Sequence, residues 1–110
     1  MLKVSEDNVI KLTRGDTARL TVSVTDGSGE PYEIQNGDTL TLSLKKNVKE
    51  VDSLMTKTIK GTDMFHIKPD DTSGLNFGTY IYDVQLTTVN NDVYTVIPPS
   101  TFEILTEVTI

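Results

Sequence analysis

Residues 75–86, LNFGTYIYDVQL, constrain this chain more than any other stretch. Side chains in a strand alternate between two faces, so Tyr80, Tyr82, Val84 and Leu86 share one face, and Ile81, Asp83 and Gln85 share the other. A polar turn, Asp70-Asp71-Thr72-Ser73-Gly74, comes just before. Turn, Leu75, Gly78, aromatic and alternating strand follow in the order of a tyrosine corner. There a strand enters a β-sandwich and a Tyr hydroxyl bonds back to upstream backbone. Leu75, Gly78, Tyr80 and Tyr82 are the expected corner residues. The hydroxyl of Tyr80 or Tyr82 is expected to reach backbone in residues 70–75. A corner of this kind points to a scaffold rather than to chemistry.

Other segments repeat the alternation. Ala18, Leu20, Val22 and Val24 alternate with Arg19, Thr21, Ser23 and Thr25, and Leu40, Leu42 and Leu44 alternate with Thr39, Thr41, Ser43 and Lys45. Each reads as a strand with one buried face, as antiparallel sheets require. Phe65 and Ile67 form a shorter run between Met64, His66 and Lys68. Residues 9–12, 58–60, 93–97 and 101–105 are weaker strand segments, and Pro98-Pro99 is expected to break the ladder or carry the chain between sheets. Turns fall at Asp26-Gly27-Ser28-Gly29, Asn36-Gly37-Asp38, Lys60-Gly61-Thr62 and Asn90-Asn91-Asp92, the last a hairpin signal. In residues 45–57 the apolar spacing fits a helical turn loosely, and the neighbours favour a long loop or a frayed hairpin end. Seven or eight short strands at this spacing imply one all-β domain over residues 1–110, an antiparallel two-sheet sandwich or a small barrel.

The chain of 110 residues is long enough for one core without staples. It has no cysteine, which excludes disulfides, thiolate metal sites and cysteine nucleophiles, and slightly favours a reducing place of synthesis. No signal-peptide core and no membrane-length apolar run is present, so a soluble protein made in the cytoplasm, with no membrane partner, is expected. The net charge of −6 is uneven: residues 69–110 carry no Lys or Arg and six acids. That acidic third would repel a phosphate backbone, and no nucleic-acid partner is expected.

Chemistry-bearing constellations are scarce. His66 is the one histidine, and it lacks the Cys or carboxylate cluster that zinc needs and the nucleophile that a catalytic base needs. Arg14-Gly15-Asp16 spells an integrin-read tripeptide, but it directly precedes a strand and reads as a turn. Asp70 and Asp71 lack the loop spacing of a calcium site. Asp83 is expected to face solvent or to pair across the sheet with a cation such as Arg19. No catalytic residue, metal ligand or cofactor is assigned, and the protein is expected not to be an enzyme.

Interaction residues are easier to nominate. Among four Tyr, three Phe and no Trp, Tyr32 in the Glu30-Pro31-Tyr32 loop is the best exposed aromatic for a sugar or partner face. Lys45, Lys46 and Lys49, with Lys57 and Lys60, cluster around the central loop, either as a solvated loop or as a dock for the acidic third of a second copy. The chain stays β-like through Phe102, Ile104, Val108 and Ile110, and an alternating apolar end such as Ile110 is expected to pair with something.

Taken together, certain residues resemble a known family. They are Arg14-Gly15-Asp16-Thr17, Asp26-Gly27, Gly37-Asp38-Thr39-Leu40, Pro69-Asp70-Asp71-Thr72, Leu75, Gly78-Thr79-Tyr80-Ile81-Tyr82-Asp83-Val84-Gln85-Leu86, Tyr94-Thr95 and Phe102-Glu103-Ile104 with Glu107-Val108-Thr109. The chain is similar to small phage and prophage proteins of Gram-positive bacteria, the Ig-like or baseplate-associated β domains of tail and virion genes. The resemblance implies an antiparallel Ig-like β-sandwich and a non-enzymatic structural or interaction module of the virion. It also implies partners among other virion proteins or copies of the chain itself. The alternative expectation is a carbohydrate- or cell-surface-binding adhesion module.

Overall fold

Alternation in the sequence becomes alternation in burial. The computed structural model describes residues 3–4 (backbone only), 8–47, 49 and 53–106. Its strands are β1 (Lys3–Val4), β2 (Ile10–Thr13), β3 (Ala18–Thr21), β4 (Thr39–Lys45), β5 (Met55–Lys60), β6 (Met64–Ile67), β7 (Gly78–Thr87) and β8 (Val93–Leu105). A single helical turn, α1 (Pro69–Thr72), lies between β6 and β7. The described chain is thus mostly β. A six-stranded sheet runs in the order β1-β2-β8-β7-β4-β5, and β3 pairs with β6 in a second sheet of two strands.

One hydrophobic cluster draws on both sheets. Cross-strand neighbours build it: Leu40 faces Leu86, Leu42 faces Val84, and Leu44 faces Tyr82. Tyr80 faces Phe102, and Leu20 faces Phe65. The Tyr82 and Phe102 rings meet edge to face at 5.8 Å, the arrangement that aromatic quadrupoles prefer. Leu20, Val22, Leu42, Tyr80, Tyr82, Val84 and Phe102 are all buried, as the alternation predicts.

Several expectations need correction. Residues 93–105 form one strand rather than two. Tyr82 faces Ser100 and Val84 faces Ile97, so Asp83 alone stands opposite Pro98 and Pro99. The prolines, which have no N–H to give a ladder, sit in a β-bulge where β2 does not reach, since β2 pairs only from Phe102 onward. The sheet is also not wholly antiparallel, because β2 runs parallel to β8. No hairpin joins these two strands, so their direction follows from placing Ile10 beside Phe102 and Leu12 beside Ile104.

Residues 45–57 hold no helical turn among the described positions. They close the β4–β5 hairpin, where the Leu54 amide donates to the Leu44 carbonyl at 2.7 Å; residues 48 and 50–52 lie outside the described residues. The strand expected over residues 58–60 begins earlier, at Met55. Arg19 does not meet Asp83, because it lies opposite His66 in the small sheet while Asp83 lies opposite Ser43 in the large one.

Candidate functional site

The β6-to-β7 connection gathers side-chain hydrogen bonds around α1. Pro69 opens α1, where its missing N–H costs nothing. The Asp71 carboxylate then accepts from the Lys68 amide and from the Lys57 ammonium, both at 2.7 Å. Burial raises the Asp71 pKa, but the hydrogen bonds from Lys57 and Lys68 outweigh it and hold the carboxyl below its ordinary value. The buried Thr72 hydroxyl accepts from the Gly15 amide at 3.0 Å. Gly15 has φ +86°, a left-handed conformation that suits glycine. Arg14 lays its guanidinium 4.2 Å over the Phe77 ring and donates to the Leu75 carbonyl. The Arg-Gly-Asp tripeptide is therefore a turn that docks the β2–β3 connection onto α1.

Both corner tyrosines use their hydroxyls. Tyr80 donates to the Asn76 carbonyl at 2.6 Å, one residue beyond the predicted acceptor range. Tyr82 donates to the Asn8 carbonyl at 2.6 Å and ties the N-terminal segment to the core. Burial pushes the Tyr82 hydroxyl up to about 12. Leu75 packs partly buried against the core, and Gly78 has φ +139° at the start of β7.

The predicted lysine cluster divides. Lys46 turns toward the corner, 4.7 Å over the Tyr80 ring, with its ammonium near the Thr79 carbonyl at 3.4 Å. Lys57 is drawn into the Asp71 ion pair. Lys45 lines a shallow depression with Asp83, Gln85 and Pro99, and Lys49 is exposed in the β4–β5 connection. Ile110 lies outside the described residues.

Tyr32 is not the exposed ring that its loop position predicts. It packs partly buried against the core and donates to the Asp38 carboxylate at 2.6 Å. The same carboxylate oxygen, Oδ2, accepts from the Gln35 amide at 2.9 Å. Asp38 is only 1% exposed, and its Oδ1 makes no hydrogen bond with the described residues. The Tyr32 hydroxyl, followed by the Gln35 amide, holds the Asp38 carboxyl below its ordinary value, and the same bond pushes the Tyr32 hydroxyl up. The sequence reading missed Asp38 as a partner. Its signal was an Asp three residues after Gln35, a spacing at which the side chain closes a turn.

The exposed tyrosine is Tyr94, at 55%. Tyr32 and Tyr94 line one cleft of about 530 Å³ between residues 23–27 and the β7–β8 hairpin. Among the described residues, no three of His, Cys, Asp and Glu come together as a metal ion would require. Among the described residues, no helix is long and apolar enough to cross a membrane. No protein-family model matches the chain, and comparison with curated proteins finds no significant relative.

Proposed function

We propose that the chain is an Ig-like two-sheet β-sandwich that serves as a non-enzymatic structural or interaction module of a phage or prophage particle. The Ig reading is supported by strand order. With β3 and β6 in the roles of strands B and E, β4, β7 and β8 take those of C, F and G, and β5 adds a further strand beside C. A tyrosine hydroxyl bonded four residues upstream, Tyr80 to Asn76, supports it too. The virion reading rests on the resemblance, which runs from about Ile10 to Thr109 and is best over residues 78–86.

The observation that carries the interaction role is the β5 edge. β5 pairs with β4 on one side only, and Thr56, Thr58 and Lys60 are exposed along it. An open strand edge is a template for a neighbour's strand, with main-chain hydrogen bonds supplying affinity. In this reading the neighbours are other virion proteins or copies of the chain, and the protein is made in the bacterial cytoplasm before assembly.

Mass spectrometry of purified particles from a host that encodes the chain tests the location, and absence of the chain from the particles would end the virion reading. Sedimentation over a wide concentration range tests the edge. Wild type is expected to self-associate or to bind a particle protein. The Thr56→Lys/Thr58→Lys variant, which adds charge to the edge, is expected to lose that association while keeping its fold.

A further inference from the structure

The cleft between Tyr32 and Tyr94 has the dimensions and lining of a small-ligand site. Its volume of about 530 Å³ falls within the range of ligand pockets, roughly 300–1,000 Å³. Val24 and Leu86, both buried, supply apolar lining, and the two tyrosine rings stand among them.

Three features narrow the ligand. The first is charge. Asp26 is the one charged residue in the lining, and no Lys, Arg or His accompanies it. An anionic ligand would meet repulsion with no compensating cation. Oδ1 of Asp26 is already engaged by the Ser28 amide, the Ser28 hydroxyl and the Glu30 amide, so that oxygen shapes the turn.

The second feature is hydroxyl chemistry. Ser23 and Thr25 line the cleft, and a hydroxyl both donates and accepts. A ligand rich in hydroxyls matches such a wall in either direction. The third is preorganisation. The buried Asp38 carboxylate, itself held by the Gln35 amide, bonds the Tyr32 hydroxyl and holds that ring in place. A buried carboxylate is costly, and this one fixes an aromatic wall. Tyr94, in the same lining, is 55% exposed.

We propose that this cleft binds a neutral sugar, whose C–H face lies on the Tyr94 ring while its hydroxyl groups meet the Ser23 and Thr25 hydroxyls. The site is independent of the β5 edge, and it stands or falls apart from the virion reading.

The test is an amide and aromatic NMR titration of the full chain with maltotriose, cellotriose and triacetylchitotriose. Sialyllactose serves as the anionic control, and a peptide copying residues 93–101 as a strand mimic. At least one neutral sugar is expected to shift Thr25, Tyr32, Leu86 and Tyr94 together, while sialyllactose and the peptide leave them in place. Tyr94→Ala removes an exposed ring and is expected to weaken binding about tenfold with an unchanged melting temperature. Tyr32→Phe keeps the ring but frees it from Asp38, and is expected to weaken binding several-fold with the shifts still confined to the cleft. The proposal is overturned if no neutral sugar shifts these residues at about 20 mM, where even millimolar affinity saturates. It is equally overturned if sialyllactose binds as well as the neutral sugars, or if only the peptide perturbs the cleft.

Discussion

The corner end and the cleft end of the molecule both rely on tyrosine hydroxyls, but they anchor them differently. At the corner, Tyr80 and Tyr82 donate to neutral backbone carbonyls, those of Asn76 and Asn8. At the cleft, Tyr32 donates to the Asp38 carboxylate. The corner is also closed over, with Leu75 packed on the core and Lys46 above the Tyr80 ring. The cleft end stays open, with Val89, Val93 and Tyr94 exposed on and beside the β7–β8 turn. A carbonyl acceptor gives a hydrogen bond that acid does not remove, which suits a scaffold. A carboxylate acceptor gives a stronger bond, but one that protonation can weaken.

The largest expected effect contrasts the core beneath the two ends. Leu44 faces Tyr82 near the corner, and Leu40 faces Leu86 beside the cleft; both leucines are fully buried. Leu44→Ala should cost about 3–5 kcal/mol and Leu40→Ala about 2–3 kcal/mol, because a site beside an open cleft collapses or hydrates more easily. Urea denaturation measures both, and equal costs would break the contrast between closed and open ends.

Next come the corner hydroxyls. Tyr82→Phe should cost about 1–3 kcal/mol, since it leaves the Asn8 carbonyl without its donor. Tyr80→Phe should cost about 1 kcal/mol, since its acceptor lies only four residues upstream. Amide exchange should then rise near Asn8 in the first variant and stay local to residues 76–80 in the second.

Both ends should also respond to pH, the corner end through Tyr82 and Asp71 and the cleft end through Asp38 and Tyr32. The Tyr82 pKa is raised from 10.0 to about 12, so in alkali the unfolded chain ionises first. Stability is complete below pH 10 and should fall as pH rises toward 12. The Asp38 pKa is lowered from 3.8, so in acid the unfolded chain binds the proton first. Stability is complete above that value and should fall as pH drops through the folded pKa. Asp71 contributes in the same acid direction from α1. Thermal melts across pH, read by resolved NMR signals, should show resonances near Asp38 and near α1 both shifting in acid. Asp38→Asn should make the acid limb shallower, leaving the Asp71 contribution, and should reduce the part of the alkaline loss that comes from Tyr32 while leaving the Tyr82 part.

The smallest effect is at the corner surface. Lys46→Met removes a cation from above the Tyr80 ring and should cost about 0.5–1 kcal/mol. No measurable change would mean that the corner is held by its hydroxyl and apolar contacts alone.

Much of this fold was legible from residue spacing. The buried positions of β3, β4 and β7 follow the period of two, and the β7–β8 hairpin turns at Asn91, whose φ is +67°. The upstream backbone acceptor of the Tyr80 hydroxyl was legible to within one residue. The surfaces were less so. A loop position beside Pro31 made Tyr32 look exposed, yet Asp38 draws it inward, and the open ring is Tyr94 in a segment whose alternation is weak. Lysines close in sequence diverge because Lys57 finds Asp71 while Lys46 finds Tyr80.

The sequence by itself determined which stretches extend, which face of each is buried and where the chain turns, because those properties depend on residues a few positions apart. Only the tertiary structure decided that β2 lies parallel to β8, that Pro98 and Pro99 sit in a bulge, and that Thr72 receives the Gly15 amide. The same holds for the bond from Tyr82 to Asn8. Ile10 and Phe102 are 92 residues apart, Asn8 and Tyr82 74, and no local preference brings such partners together. They meet because burying the apolar faces of two sheets in one core leaves polar groups that must find acceptors or donors among whatever the packing places nearby.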